Sequence, residues 1–214
     1  MSETPKQAGA ETTSNREIIH RKTAIFEQYL SPLHADVYKA TINCFPEFHF
    51  LRDMSVVLDR DSDILAGGTV NGEPSLHIGL KEGVITPRMR SRVMERFQLR
   101  PDLLGMELEL QDTIAKAITF GHELGHAIQE DPLFERFYGR LEGEHLNPHK
   151  GDDYVAYVNS DWEVNADFIA AEILGHTKLG EMLGFMPPTE GPSEWRAWGE
   201  QHPVPQTIAM TSSN

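Results

Sequence analysis

Two histidines flank a glutamate in His122-Glu123-Leu-Gly-His126, inside a run from Thr119 to Ile128 that reads as helix. Residues four apart share one helical face, so both imidazoles can converge on a single metal ion. Glu123 then stands beside that ion, where a carboxylate can take a proton from ion-bound water. Two histidines leave a catalytic zinc one protein ligand short, because such a site needs three and an open position for water. Glu163 is the best candidate for the third, within Trp162-Glu-Val-Asn-Ala-Asp-Phe-Ile-Ala-Ala171. Glu163, Asp167, Ala170 and Leu174 fall on one face of a second helix. Asp167, one turn beyond Glu163, is placed to accept the second ring N–H of a ligating histidine and to fix its tautomer.

Glu163 has a competing use. Ser160-Asp-Trp-Glu163 also fits a capping box, in which the glutamate side chain turns back to the Ser160 backbone. His145 and His149 are four apart as well, but Pro148 between them argues against a regular helix there. His145 and Tyr154 are candidates to stabilise an oxyanion. His20, His34 and His77 read as surface or packing residues. The single cysteine, Cys44, excludes an internal disulfide and a cysteine-based zinc knuckle, and its apolar setting (Ile42 to Phe45) marks it as a core residue.

The helix carrying the histidine pair extends from about Glu107 to Glu130, with acidic first turns and Pro132 as its stop. Leu110, Ile114, Ala117, Gly121, Leu124, Gly125 and Ile128 form its apolar stripe. Gly121 and Gly125 each cost roughly 1 kcal/mol in a helix interior, so both are expected to admit a closely packed neighbour. The alanine-rich helix from about Ser160 to Gly175 is that neighbour. Earlier in the chain, helices are expected from Asn15 and from Leu33 to Asn43. Short strands follow at Ser55–Leu58 and Ile64–Ala66, then a hairpin turn at Asn71-Gly72 and a strand over Ser75–Leu80. This small antiparallel sheet is expected beside the histidine helix, with Ser75–Leu80 as the edge that receives an extended substrate. Pro87 opens an amphipathic helix over Arg88–Leu99 with Val93, Met94 and Phe97 inward. Arg88, Arg90, Arg92, Arg96 and Arg100 read as its solvated face, or as a docking patch for a partner. Glu142 to Asp153 reads as a loop. The whole is a mainly helical α+β domain over residues 15–202, between a polar tail at 1–14 and a tail at 203–214.

A net charge of −14 argues against nucleic-acid or anionic-membrane partners, which need a basic face. No apolar run approaches the ~18 residues of a membrane span, and the polar N-terminus does not read as a signal peptide. A soluble, cytoplasmic protein is expected.

H-E-L-G-H on one helix, followed on a later one by Glu163 with Ala166-Asp167 and Ala170-Ala171, resembles the gluzincin metallopeptidases. The ImmA/IrrE-type cytosolic branch is most similar, over about Leu65 to Leu174. The resemblance implies a zincin-like fold with one Zn2+ per chain, held by His122, His126 and Glu163. It also implies a peptide or protein substrate, hydrolysed by zinc-bound water with Glu123 as general base. Asp167 stands where this branch often has Asn; in thermolysin-like relatives an Asp there holds a ligand histidine. Two other readings stay open. One is a non-catalytic regulatory or binding domain of the same fold, stabilised by zinc. The other is a di-iron site built from Glu123-x-x-His126 and Glu142-x-x-His145.

Overall fold

The computed structural model describes residues 28, 32–59, 65–70, 73–79, 87–99, 105–143, 153–189 and 191–205. The two tail ends, the helix expected from Asn15, the Asn71-Gly72 turn and the segment holding His145 and His149 lie outside them. Helix α1 (Pro32–Cys44) opens on the proline expected to break the preceding helix, since a first-turn N–H has no intrahelical partner to lose. A short α2 (Phe50–Asp53) leads into β1 (Ser55–Asp59), β2 (Leu65–Val70) and β3 (Glu73–Gly79). Then follow α3 (Pro87–Arg96) and the long α4 (Leu108–Gln129), which carries both motif histidines. The remainder is α5 (Phe134–Tyr138), α6 (Tyr154–Val158), α7 (Asp161–Leu174), α8 (Lys178–Leu183), a 3-10 turn and α9 (Trp195–Gln201). No helix among the described residues is long and apolar enough to cross a membrane.

Strands β2 and β3 pair antiparallel, from Leu65 opposite Ile78 to Val70 opposite Glu73, as the hairpin signal requires. Strand β1 departs from the antiparallel expectation. It runs parallel to β3, from Ser55 beside Ser75 to Asp59 beside Gly79, and the order is β1-β3-β2. Both ladders of β3 are therefore taken, and Ser75–Leu80 is not a substrate edge. A turn motif pairs strands adjacent in the chain; the parallel partner of β3 is chosen by packing, which leaves no local signature. Of the two edge strands, β1 and β2, the one laid against α4 among the described residues is β2.

Helix α4 is the axis of the core, with α7 along it and α1, α3 and the sheet around the pair. A Cβ added at Gly125 would meet the Ala166 carbonyl oxygen at 2.9 Å and its Cα at 3.0 Å. One added at Gly121 would meet Ala170 Cβ and Val37 Cγ1, both at 3.6 Å. Position 125 thus faces 166 and 121 faces 170, so the two helices run in opposite directions. Leu110, placed by its period in the apolar stripe, is 40% exposed, whereas Ile114 through Ile128 on that stripe are buried. At the other end Val204 packs with Val158, two residues beyond the expected domain end at 202.

The two glycines separate on substitution. Gly125→Ala drives a methyl into backbone and is expected to lower stability by about 1–2 kcal/mol, overpacking outweighing the gain in helix propensity. Gly121→Ala meets ordinary contacts and is expected to be neutral or to stabilise by up to ~1 kcal/mol. Urea unfolding of both variants checks the pair; equal losses would mean that the helices do not touch at 125.

Candidate metal centre

The antiparallel packing of α4 on α7 sets His126 opposite Glu163 and His122 opposite Asp167. His122 Nδ1 lies 2.7 Å from Asp167 Oδ1, and His126 Nδ1 lies 2.8 Å from Gln129 Oε1. The Gln129 amide has its orientation fixed, because its Nε2 donates to Trp162 O at 2.8 Å and to Asn165 Oδ1 at 3.0 Å. Both partners of the ring nitrogens are therefore acceptors, so each Nδ1 carries a proton and each Nε2 is turned the other way. Those Nε2 atoms lie 3.3 Å from Glu163 Oε2 (His122) and 3.2 Å from Glu163 Oε1 (His126). One nitrogen from each ring and one carboxylate oxygen all fall within 4.8 Å of one another.

The group is able to hold a metal ion. Glu163 is 1% exposed, and its Oε1 has no hydrogen-bond partner; the 3.2 Å approach of His126 Nε2 lacks hydrogen-bond geometry. An imidazole lone pair facing a buried carboxylate oxygen is unfavourable unless a cation or a proton lies between them. Two imidazoles and one carboxylate form a donor set suited to zinc. Protons compete for the same place. Burial opposes a charged His122, but the Asp167 and Glu163 carboxylates outweigh it and lift the imidazole to about 10. Burial likewise opposes ionised Glu163, and Arg92 with His122 overcomes this and holds the carboxyl well below its usual range.

Ser160 is the N-cap residue of α7 but makes no side-chain cap bond, and Glu163 turns to the histidines rather than to the capping box. The arginine run also needs correction, because part of it is not solvated. Arg92 Nη2 donates to Glu163 Oε2 at 2.8 Å and lies 3.3 and 3.4 Å from the Asp167 oxygens. Arg96 is fully buried; its Nε donates to Asp167 Oδ2 at 3.0 Å and its two Nη atoms to the carbonyls of His202 and Val158. Arg90 pairs with Asp112 at 2.6 Å. The signal was present as two matched pairs of opposite charge, Arg92/Arg96 and Glu163/Asp167, each four residues apart on a helix.

Gln129 and Tyr157 also went unread in the sequence. Gln129 stands three residues beyond His126, within side-chain reach on a helix. Tyr157 lies on α6, in a stretch bordering the expected loop; burial first, then the adjacent Glu163, push its hydroxyl upward. Tyr154 is its neighbour, with ring centroids 6.3 Å apart, and is close enough to Arg92 to be felt by it. Glu123 is half-buried and within electrostatic range of Tyr157. Elsewhere, His34 is packed edge-on against Phe120. Cys44 is half-buried against the core, its thiol pushed up to about 11 by burial and by Glu172. Glu142 is exposed and outside the converging group, so the described residues offer no second E-x-x-H ligand set.

Ion uptake must displace the proton that Asp167 and Glu163 favour on His122. Apparent affinity for a divalent ion is therefore expected to rise with pH, by up to ~10-fold per unit while His122 is protonated, and to weaken as pH falls from 8 to 6. Chelator competition with Zn2+ at several pH values reads this directly. Asp167→Asn, which frees the His122 tautomer, is expected to weaken binding by roughly 10–100-fold, and a flat pH response would remove the proton competition. Compared with known proteins, the chain matches no family model, no curated protein and no solved structure.

Proposed function

We propose that the protein is a zinc-dependent metallopeptidase. One observation carries this reading: His122, His126 and Glu163 converge with both remaining imidazole nitrogens already committed to acceptors, and Glu123 directly follows the first ligand. The likeness of the two motifs to gluzincin metallopeptidases supports it. Lewis acidity is the chemistry zinc brings when bound by these three side chains, acidifying water and polarising a carbonyl oxygen. Glu123 accepts the proton from the attacking water and delivers it to the leaving amine. Asp167 and Gln129 hold the two imidazoles in the tautomer that presents Nε2. Tyr157, whose hydroxyl is pushed upward by burial and by Glu163, keeps its proton and can donate to an oxygen gaining negative charge, with Tyr154 beside it as a second phenol. An extended substrate has one place to add to the sheet near α4, the outer edge of β2, which no other described strand occupies.

Glu123→Gln is expected to retain one zinc per chain and to lose roughly 10²–10⁴-fold in peptide cleavage. His126→Ala is expected to lose the zinc as well. Metal content by elemental analysis and cleavage of a mixed peptide library separate the two. Undiminished cleavage by Glu123→Gln ends the base assignment, whereas bound zinc without cleavage of any peptide by the wild type favours the non-catalytic zinc-stabilised domain.

A further inference from the structure

The two oxygens of Glu163 are not equivalent. Oε2 accepts from Arg92 Nη2 at 2.8 Å, while Oε1 is buried without a hydrogen-bond partner and lies 3.2 Å from His126 Nε2. We propose that Arg92 is a positioning residue that reserves Oε2 of Glu163, so that an ion between His122 and His126 meets Oε1 alone. The inference rests on the metal reading above and adds to it the mode of carboxylate binding.

A carboxylate can offer one oxygen or two, and a second bound oxygen would take the position that water needs in a site with three protein ligands. Three features make Arg92 the group that decides. Its guanidinium is a planar fork whose donors keep fixed directions, so the bond to Oε2 also fixes the plane of the carboxylate. The same Nη2 lies 3.3 Å from Asp167 Oδ2, so the guanidinium spans the ligand Glu163 and the residue that orients His122. Asp167 is in turn held by Arg96, which is fully buried, so the carboxylate beside Arg92 does not swing away. Without Arg92, Oε2 loses its guanidinium donor and keeps the 3.3 Å approach of His122 Nε2, and rotation about the last side-chain bond of Glu163 can turn both oxygens to the ion.

Cobalt(II) bound to the full-length protein reports this change, because its visible absorption is strong in four-coordinate and weak in five- or six-coordinate sites. The wild type is expected to bind one Co2+ with the strong band. Arg92→Met removes the donors at similar length, and its band is expected to fall roughly threefold or more with stoichiometry and helical circular dichroism unchanged. Arg92→Gln, too short to reach Glu163, is expected to do the same and serves if the methionine variant does not fold. A folded variant that binds Co2+ with the wild-type spectrum overturns the role of Arg92 and leaves the metal reading standing. A wild type that binds no Co2+ or Zn2+ overturns the metal reading, and the role of Arg92 falls with it.

Discussion

The contact on which the rest depends is the one between Gly125 of α4 and the backbone of Ala166 on α7. With a 2.9 Å approach to the Ala166 carbonyl oxygen from even a notional Cβ, the helices are as near as backbone allows at that point. Residues one position further along α4 and three residues back along α7 then face each other across a short gap. His126 and Glu163 are those residues, and their side chains meet at 3.2 Å without either leaving its helix. One turn away, at Gly121 and Ala170, the fit is looser, and there the side chains of His122 and Asp167 bridge the helices with a 2.7 Å bond. Glycine at 125 therefore acts on the site through distance. It sets the separation at which two histidines and a glutamate reach a common point.

Placing two acids so deep between helices has an electrostatic cost that the histidines alone do not offset. Burial works against ionised Glu163 and Asp167, and both are nevertheless held below the usual carboxylate range by Arg92 and His122. A buried ion pair stabilises little unless its remaining donors and acceptors are satisfied. Here they largely are, because Arg92 spans both carboxylates while Arg96 takes the second Asp167 oxygen. Helix α3 is accordingly part of the site although it carries no candidate ligand. The two guanidinium charges also balance the two carboxylates, so the capacity of the group to hold an ion comes from converging donor atoms rather than from a surplus of acid.

The parts of this arrangement legible in the sequence are those fixed by helical spacing. His122, His126, Glu163 and Asp167 stand four apart in two pairs, and the boundaries of α4 and α7 follow from Pro132, Gly175 and the apolar period. What escaped is whatever depends on a third element. Arg92 and Arg96 look like any solvated run until α7 is laid against α3 with its own acids in register. Tyr157 reaches Glu163 from a five-residue helix too short to have a period. The strand order failed for the same reason: Asn71-Gly72 names the β2–β3 pairing, but nothing near Ser55 names β3 as a parallel partner. Leu110 errs in the other direction, since it keeps the period of the stripe beyond the reach of the helices that would cover it.

Arg96 shows how far such a third-element constraint extends. A guanidinium cannot shed its charge in a protein, so burying it completely requires a partner for nearly every N–H. Asp167 supplies one, and the carbonyls of Val158 and His202 with the side-chain oxygen of Asn159 supply the others. Asn159 also accepts from the Val204 N–H and donates to the Val204 carbonyl. The segment from His202 to Val204 is thereby tied to the end of α6, and through Arg96 to the acid that orients His122. Were His202 to Val204 not packed here, the Arg96 Nη1 would lose its protein acceptor and Asn159 both of its Val204 partners, and the guanidinium would have to move toward water, loosening its hold on Asp167. The packing of His202 to Val204 and the orientation of a candidate metal ligand are thus parts of one requirement, that a buried charge be fully bonded.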